Sequence, residues 1–476
     1  MTNMKHSDEA ALQATLAAMK LAQAQGGAPD AALRIDRLTR LLHLLRERAD
    51  DFCTALDADF GGRPRDASLM NDVMSSFNSV KYARAQLRGW MKPERRKGVF
   101  PFNLFGARVE VSHIPKGVVG VLGTWNVPLF TTLAPLGFVL AAGNRAMIKP
   151  SELVPRTSAL LQQTIAAYFA ADEVAVFTGD AGLASDFSAL AFDHMVLTGS
   201  SATGVRVMRA AAEHLVPVTL ELGGKSPVII GRSADIRLAA QRIVEGKAMN
   251  GGQICVSPDT VYVAQELLEP FVAACQEAHR QMFPPADGVA ALTAIINERH
   301  QMRIESYVDD ARARGGRIVD CGAGLPAADA RLPLRLVVDA PADSMLAQEE
   351  IFGPVLQVEC YADVSEAIDR INAGPRPLAL YYFGSDRDEE QRVLRSTVSG
   401  GVAINDVIMH VAAHDAPFGG IGASGMGAYH GREGFAEFSH ARTLYRSGWW
   451  DPRKALGLAR PYPKQLHARL LKTLRV

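Results

Sequence analysis

The 476-residue chain reads as an α/β protein made of a doubly wound parallel sheet, a second α/β unit and a small β arm. Three observations predict this. Short apolar runs alternate with stretches of helical length, the pattern of βαβ units. That alternation is punctuated at Gly223-Gly224 and resumes after Lys225, so one sheet ends and another begins. Gly98 to Pro115 interrupts the first unit with Arg108-Val109-Glu110-Val111-Ser112, a two-period strand that belongs to neither sheet.

Taken in order, the first sheet is expected to use Val118–Leu122, Arg145–Ile148, Val174–Phe177, His194–Leu197 and Val216–Glu221, with helices such as Ser158–Ala170 between them. The second is expected to open with a strand at Val228–Ile230. A helix near Leu238–Met249, an irregular loop carrying Cys255 and a strand at Thr260–Ala264 follow. The arm strand needs a partner, and Thr443–Arg446 is the natural one. The division is therefore residues 1–97 and 116–226, residues 227–423, an arm of 98–115 with 437–447, and a basic tail of 448–476. In that tail Leu466, Leu470, Leu471 and Leu474 share one helical face, with Arg469, Lys472 and Arg475 elsewhere, so the tail is expected to pack on the protein's surface.

A hydrophobic content of 48% over this length is ample for two large cores. Lys plus Arg and Asp plus Glu both number 51, so no net field favours nucleic acid. Cys53, Cys255, Cys275, Cys321 and Cys360 form no metal-ligand spacing, and their odd number speaks against a disulfide framework. No metal and a reducing, cytoplasmic setting are expected. Asp8, Glu9 and Lys20 break up the alanine-rich start, which lacks the apolar core of a signal peptide. The longest apolar run, Val127 to Ala142, holds Pro128 and Pro135 and is too short to span a bilayer.

Chemistry concentrates in a thiol and a carboxylate. Cys255 ends Asn250-Gly251-Gly252-Gln253-Ile254-Cys255, where two glycines imply an irregular backbone able to bring main-chain N–H groups near the sulfur. Glu221 ends an apolar strand before Gly223-Gly224, the place where α/β enzymes keep catalytic groups. A thiol that forms a covalent adduct splits an oxidation into two easier steps, and a separate base then releases the acyl group. Such chemistry suits aldehydes. No strand is followed by Gly-x-Gly-x-x-Gly. His194 to Gly199 nevertheless reads as a strand and Ala202 onward as a helix, so Ser200 and the N–H groups after it can bind phosphate. Gly224-Lys225-Ser226 is not a triphosphate loop, since Thr219 stands where that motif needs glycine. Lys149-Pro150-Ser151-Glu152 suits either a helix start or hydrogen bonds to ribose hydroxyls.

In this order the motifs resemble those of the aldehyde dehydrogenase superfamily. Leu220 to Ser226 resembles its glutamate signature and Gly252 to Cys255 its cysteine signature. Gly123-Thr124-Trp125-Asn126-Val127-Pro128 resembles the segment with the oxyanion asparagine, and Ile148 to Glu152 the cofactor-ribose segment. Thr198 to Gly204 is similar to the pyrophosphate turn, Gln348 to Pro354 to the segment holding the nicotinamide ribose, and Pro417 to Gly420 completes the set, which runs from about residue 30 to 445.

The resemblance implies Cys255 as nucleophile, Glu221 as the base acting through water, and Asn126 with the Cys255 N–H as oxyanion donors. It implies NAD, with NADP accepted less well, on a dinucleotide-binding first unit. Trp125, Lys149, Glu152, Gly199, Ser200, Gly204, Glu350 and Phe352 would form the cofactor set. Glu152 would bond a ribose 2′-hydroxyl and repel a 2′-phosphate. The arm would make a homodimer. Ser424 to Gly431 and Met409-His410 resemble the class 3 branch and the coniferyl aldehyde dehydrogenases within the family. An aromatic or medium-chain apolar aldehyde is therefore the expected substrate and its carboxylic acid the product. Val407, Ile408, Met409 and Val411 would form one pocket wall, with Trp125 opposite. Two other readings compete. One is a dehydrogenase that passes the acyl group to coenzyme A. The other is a cofactor-free hydrolase in which His194, His214 or His430 activates Cys255. Leu197 and Val127 depart from the larger side chains usual in relatives and would widen pockets.

Overall fold

The computed structural model describes residues 2–284, 288–323, 325 and 330–474. One sheet has six strands in the order Gly425–Met426, Val218–Glu221, His194–Thr198, Val118–Leu122, Arg145–Lys149, Val174–Val176. All pair in parallel except Gly425–Met426. Parallel strands covered on both faces must be apolar throughout, and Val118–Leu122 and His194–Thr198 are buried at every position. The strand expected from Val216 begins at Val218 instead, because Pro217 has no N–H to give a ladder. Helix Pro128–Ala141 is wholly buried and starts with proline in its first turn, where the missing N–H costs nothing.

The second sheet has seven strands in the order Arg317–Asp320, Arg335–Val338, Val355–Tyr361, Thr260–Ala264, Pro227–Ile230, Ala379–Phe383, Gly401–Ile404, parallel except for Arg317–Asp320. Its helix Ile236–Ala248 is capped by Asp235, whose side chain accepts from the N–H groups of Arg237 and Leu238.

The arm is a three-stranded antiparallel sheet of Glu94–Arg96, Arg108–Pro115 and Ser439–Arg446. Thr443 pairs with Val111 and Arg446 with Arg108. Both long strands outrun the segments read from the sequence, and Glu94–Arg96, read with the first unit, pairs here. Ser439–Arg446 is an edge strand, exposed over all but its first residue. At the start of the tail, Trp449 and Trp450 pack on Phe105 with ring centroids 5.9 and 4.5 Å away. Of the four tail leucines only Leu466 is buried, whereas Leu470, Leu471 and Leu474 are exposed. Arg475 lies outside the described residues. No helix among the described residues is long and apolar enough to cross a membrane.

Candidate active site

The six-stranded sheet sets its reactive groups at one edge. Leu122 is in register with Lys149, and Thr198 with Glu221, so the segments after these carboxyl ends lie side by side. From the other sheet come the segments before its strands: Gly223–Ser226 precedes Pro227–Ile230, the Cys255 loop precedes Thr260–Ala264, and Glu350–Phe352 precedes Val355–Tyr361.

The Cys255 loop takes its shape from three successive left-handed residues, Asn250, Gly251 and Gly252, with φ of 52°, 62° and 73°. At Gly252 a Cβ would sit 2.3 Å from the Gly353 carbonyl oxygen, so no larger residue fits. Gln253 locks the loop. Its Nε2 donates to the carbonyls of Asn250 (2.9 Å) and Ala294 (3.1 Å), and its Oε1 accepts from the Ile296 N–H (3.1 Å). Asn126 Nδ2 donates to the Gln253 carbonyl at 2.9 Å, and Asn250 Nδ2 donates to the Asn126 carbonyl at 2.9 Å. The asparagine and the thiol loop are thus fastened together. One Nδ2 hydrogen of Asn126 is committed to Gln253, which leaves the second for an oxyanion.

Cys255 and Glu221 lie close enough for each to shift the proton balance of the other, and Glu221 Oε1 is buried with no hydrogen-bond partner among the described residues. Glu221 is buried, and burial pushes its carboxyl up to about 8, with the charge of Glu350 adding to the rise and the thiol contact opposing it. Burial, then the Glu221 charge, pushes the Cys255 thiol well above its usual range. At neutral pH the resting pair is a thiol beside a neutral carboxylic acid.

On the cofactor side, Lys149 is buried and its Nζ donates to Glu152 Oε2 at 2.7 Å. Burial works against ionised Glu152, but the Lys149 hydrogen bond holds its carboxyl below the usual range. Ser200 caps helix Ser201–Ala212, accepting from the Thr203 N–H at 3.3 Å, and the Gly199 N–H donates to the Glu221 carbonyl at 3.0 Å. Gly204 is the fourth residue of that helix. It lies where the helix meets the sheet, and a Cβ there would come 3.1 Å from Leu222. Glu350 packs on Gly223, where a Cβ would be 2.6 Å from its Oε1. Phe352 meets Trp125 edge-on at 5.4 Å, and Trp125 also contacts His300 (5.1 Å) and Phe60 (6.4 Å). Trp125 therefore stands on the Phe352 side. The apolar wall is carried by Val411, which packs with Val127, Phe130 and Ala134, and by Val407 over Gly246. Met409 is exposed.

Two groups escaped the sequence reading. Lys225, dismissed as a phosphate ligand, donates to Asp259, to the Leu346 carbonyl (2.8 Å) and to the Glu349 carbonyl (3.1 Å), and so holds the segment that carries Glu350. Tyr429 is buried near Cys255 and Glu221, and burial with the charges of Glu221 and Cys255 raises its phenol well above the usual range. Its place follows from the strand Gly425–Met426 returning to pair with Leu220 and Glu221, which no local signal announces. The histidines are occupied otherwise. His194 bonds Lys116 (3.0 Å) and Thr219 (2.7 Å), His214 is exposed, and the ring of His430 lies among Phe130, Phe138 and Phe418. With Glu221 as partner of the thiol, the histidine-activated hydrolase reading is set aside.

A thiol paired with a carboxylate, between an amide donor and a dinucleotide-type strand-to-helix turn, defines a nicotinamide-dependent, thiol-based oxidoreductase. The family model described as "Aldehyde dehydrogenase family" matches residues 1–444, and the chain belongs to that family. It is 48% identical over 459 residues to the "Probable coniferyl aldehyde dehydrogenase" of Caulobacter vibrioides, covering 95% of each chain. It is 44% identical to the "Coniferyl aldehyde dehydrogenase" of a Pseudomonas species, covering 96% of this chain and 95% of the relative. Among solved structures, the substrate-bound state of Staphylococcus aureus AldH superimposes with a TM-score of 0.88 at 32% identity, covering 99% of each chain. A Mycobacterium tuberculosis aldehyde dehydrogenase complexed with NAD+ gives 0.83 at 28% identity, covering 93% and 91%. The protein is an NAD(P)-dependent aldehyde dehydrogenase that oxidises an aldehyde to the carboxylic acid.

Proposed function

We propose that the enzyme oxidises aromatic and medium-chain apolar aldehydes, with coniferyl aldehyde the model substrate, using Cys255 as nucleophile, Glu221 as base and Asn126 as oxyanion donor. The observation that carries the roles is a buried, unpartnered Glu221 carboxyl oxygen near Cys255, beside an asparagine fastened to the thiol's own loop.

As the sulfur adds to the carbonyl carbon, the thiol proton leaves to solvent and the new oxyanion is held by the free Asn126 N–H and the Cys255 backbone N–H. Each such donor is worth about 3 kcal/mol. When bound, the nicotinamide supplies the hydride acceptor that converts the adduct to a thioester. Glu221, in its ionised form, then takes a proton from water, whose oxygen attacks the thioester carbon; the C–S bond breaks and the proton on Glu221 passes to the leaving sulfur, releasing acid and thiol. Lys149 with Glu152 would hold the adenosine ribose, the Ser200 turn the pyrophosphate, and Glu350 with Phe352 the nicotinamide riboside. Buried Lys149 holding the exposed Glu152 carboxylate, and the glycine cradle under Glu350, suit that ligand. Ionised Glu152 favours NAD over NADP.

The substrate class is supported by the coniferyl aldehyde dehydrogenase relatives at 44–48% identity and by the apolar wall of Val127, Phe130 and Val411. The enzyme acts as a homodimer in the cytoplasm. An eight-residue edge strand with exposed Leu444 and Tyr445 supports the first, and five free cysteines support the second. Incubating the protein with an aldehyde panel and NAD or NADP, with and without coenzyme A, tests the reading. Reduced cofactor should appear with aromatic aldehydes and NAD, with no requirement for coenzyme A; dependence on coenzyme A would overturn acid formation.

A further inference from the structure

A cleft of about 300 Å³ opens beside helix Ala49–Phe60, lined among others by Cys53, Thr54, Asp57, Arg63, Arg65 and Arg331, and by none of the candidate catalytic or cofactor residues. Three guanidinium groups face one carboxylate. That carboxylate is already engaged, since Asp57 Oδ1 accepts the Arg63 backbone N–H at 2.7 Å. Arg65 pairs with Asp50 at the outer rim and is largely solvent-facing.

Arg63 is 2% exposed, and only its Nη2 has an acceptor, Asp72 Oδ2 at 2.7 Å. Its Nε and Nη1 are buried with no partner among the described residues, as is Nε of Arg331. Asp72 cannot make up the deficit, because its Oδ1 accepts the Leu129 N–H at 2.9 Å. Arg331 lies across Gly62, where a Cβ would come 2.2 Å from its Nη2, so the missing side chain at Gly62 is what lets the second guanidinium in. Buried donors of a charged group are costly when unpaired, and planar guanidinium forks match tetrahedral and planar oxyanions better than they match water.

We propose that this cleft is an anion site for a phosphate-class ligand, inorganic phosphate or the phosphoryl group of a small metabolite, held by Arg63, Arg65 and Arg331. Its walls are bonded to the catalytic loops on two sides. Asp72 holds the N–H of Leu129, three residues beyond Asn126. The Gly62 carbonyl accepts the Ala294 N–H at 2.8 Å, and the Ala294 carbonyl accepts from Gln253, two residues before Cys255. An anion that draws Arg63 and Arg331 together therefore pulls on segments next to both oxyanion donors.

Isothermal titration of the full chain with inorganic phosphate and with glucose 6-phosphate, at ionic strength matched by chloride, tests this. Saturable binding is expected, weakened about tenfold by Arg331→Ala and by Arg65→Ala, the loss of roughly one charged hydrogen bond, with Arg331→Lys in between. Tighter glucose 6-phosphate assigns the ligand to a phosphorylated metabolite; equal affinities assign it to free phosphate. Both arginines lie outside the catalytic set, so unchanged aldehyde oxidation without added phosphate shows that the variants are folded. Because binding is the readout, failure of the substrate assignment leaves this test intact. No saturable binding of either probe, or binding in both alanine variants equal to that of the native protein, would overturn the proposal.

Discussion

At the scale of single residues, Cys255 and Glu221 hold one shared property, a proton balance set by burial. Glu221, raised to about 8, keeps its proton at neutral pH, so water activation should strengthen as pH rises and level off above about 8. Single-turnover hydrolysis of the acyl-enzyme across pH 6–10 checks this. Glu221→Gln should abolish that limb while preserving a burst of reduced cofactor, with steady turnover down by about 10² to 10⁴. Cys255→Ala should show neither burst nor covalent labelling. The same shift has a stability consequence. The unfolded chain loses this proton near 4.5 and the folded chain near 8, so the unfolded state binds fewer protons through that window and the folded state loses stability as pH rises through it. Glu221→Gln, which does not titrate, should therefore gain stability relative to the native protein between pH 5 and 8, by a few kcal/mol at the top. Equal denaturation midpoints at both ends would refute the raised carboxyl. For the cofactor, Glu152→Gln should raise the NADP/NAD ratio of kcat/KM, since it removes the charge that Lys149 keeps ionised.

At the scale of elements, the thiol loop depends on backbone that only glycine adopts cheaply. Gly252→Ala would place its Cβ against the Gly353 carbonyl at a φ of 73°. Strain of about 1–3 kcal/mol follows for the conformation alone. A lowered melting temperature with a larger fall in kcat is expected, because the loop carries Cys255; a variant with native kcat would show that the loop does not set the sulfur. The arm is a second such element. Its edge strand should be the dimer seam, so Thr443→Pro, which removes a ladder N–H opposite Val111, should shift light scattering from dimer to monomer. A native protein already monomeric would dispose of the dimer.

At the scale of the whole molecule, segments that follow strands of both sheets pack into one apolar cluster, Val127, Phe130 and Ala134 with Val411, the proposed wall for the substrate. With about 0.8 kcal/mol gained per buried methylene, kcat/KM should climb from acetaldehyde to longer and aromatic aldehydes. A flat series, or a preference for semialdehydes bearing a carboxylate, would overturn the substrate class. Much of this was legible in the chain itself. The strands Val118–Leu122 and Thr260–Ala264 were readable to the residue, because a strand buried on both faces is a short unbroken apolar run between turn signals. Gly251-Gly252 and the strand end at Glu221 likewise carried their meaning locally. Other features were not local. Glu94–Arg96 is too short and polar to announce a strand and becomes one only by pairing with Val109–Val111. The close packing of Gly204 on Leu222 is a long-range contact that the local turn pattern does not show. Trp125, read as both cofactor neighbour and substrate wall, packs against Phe352, His300 and Phe60, contacts between distant segments. The amino-acid sequence by itself determined the fold class and brought forward the candidate reactive groups, since periodicity, glycine and side-chain chemistry act over a few residues. Tertiary structure alone decided the protonation of Glu221, the fastening of Asn126 to Gln253 and the burial of Arg63 against a cleft, because desolvation and long-range hydrogen bonds exist only once distant segments have closed around these groups.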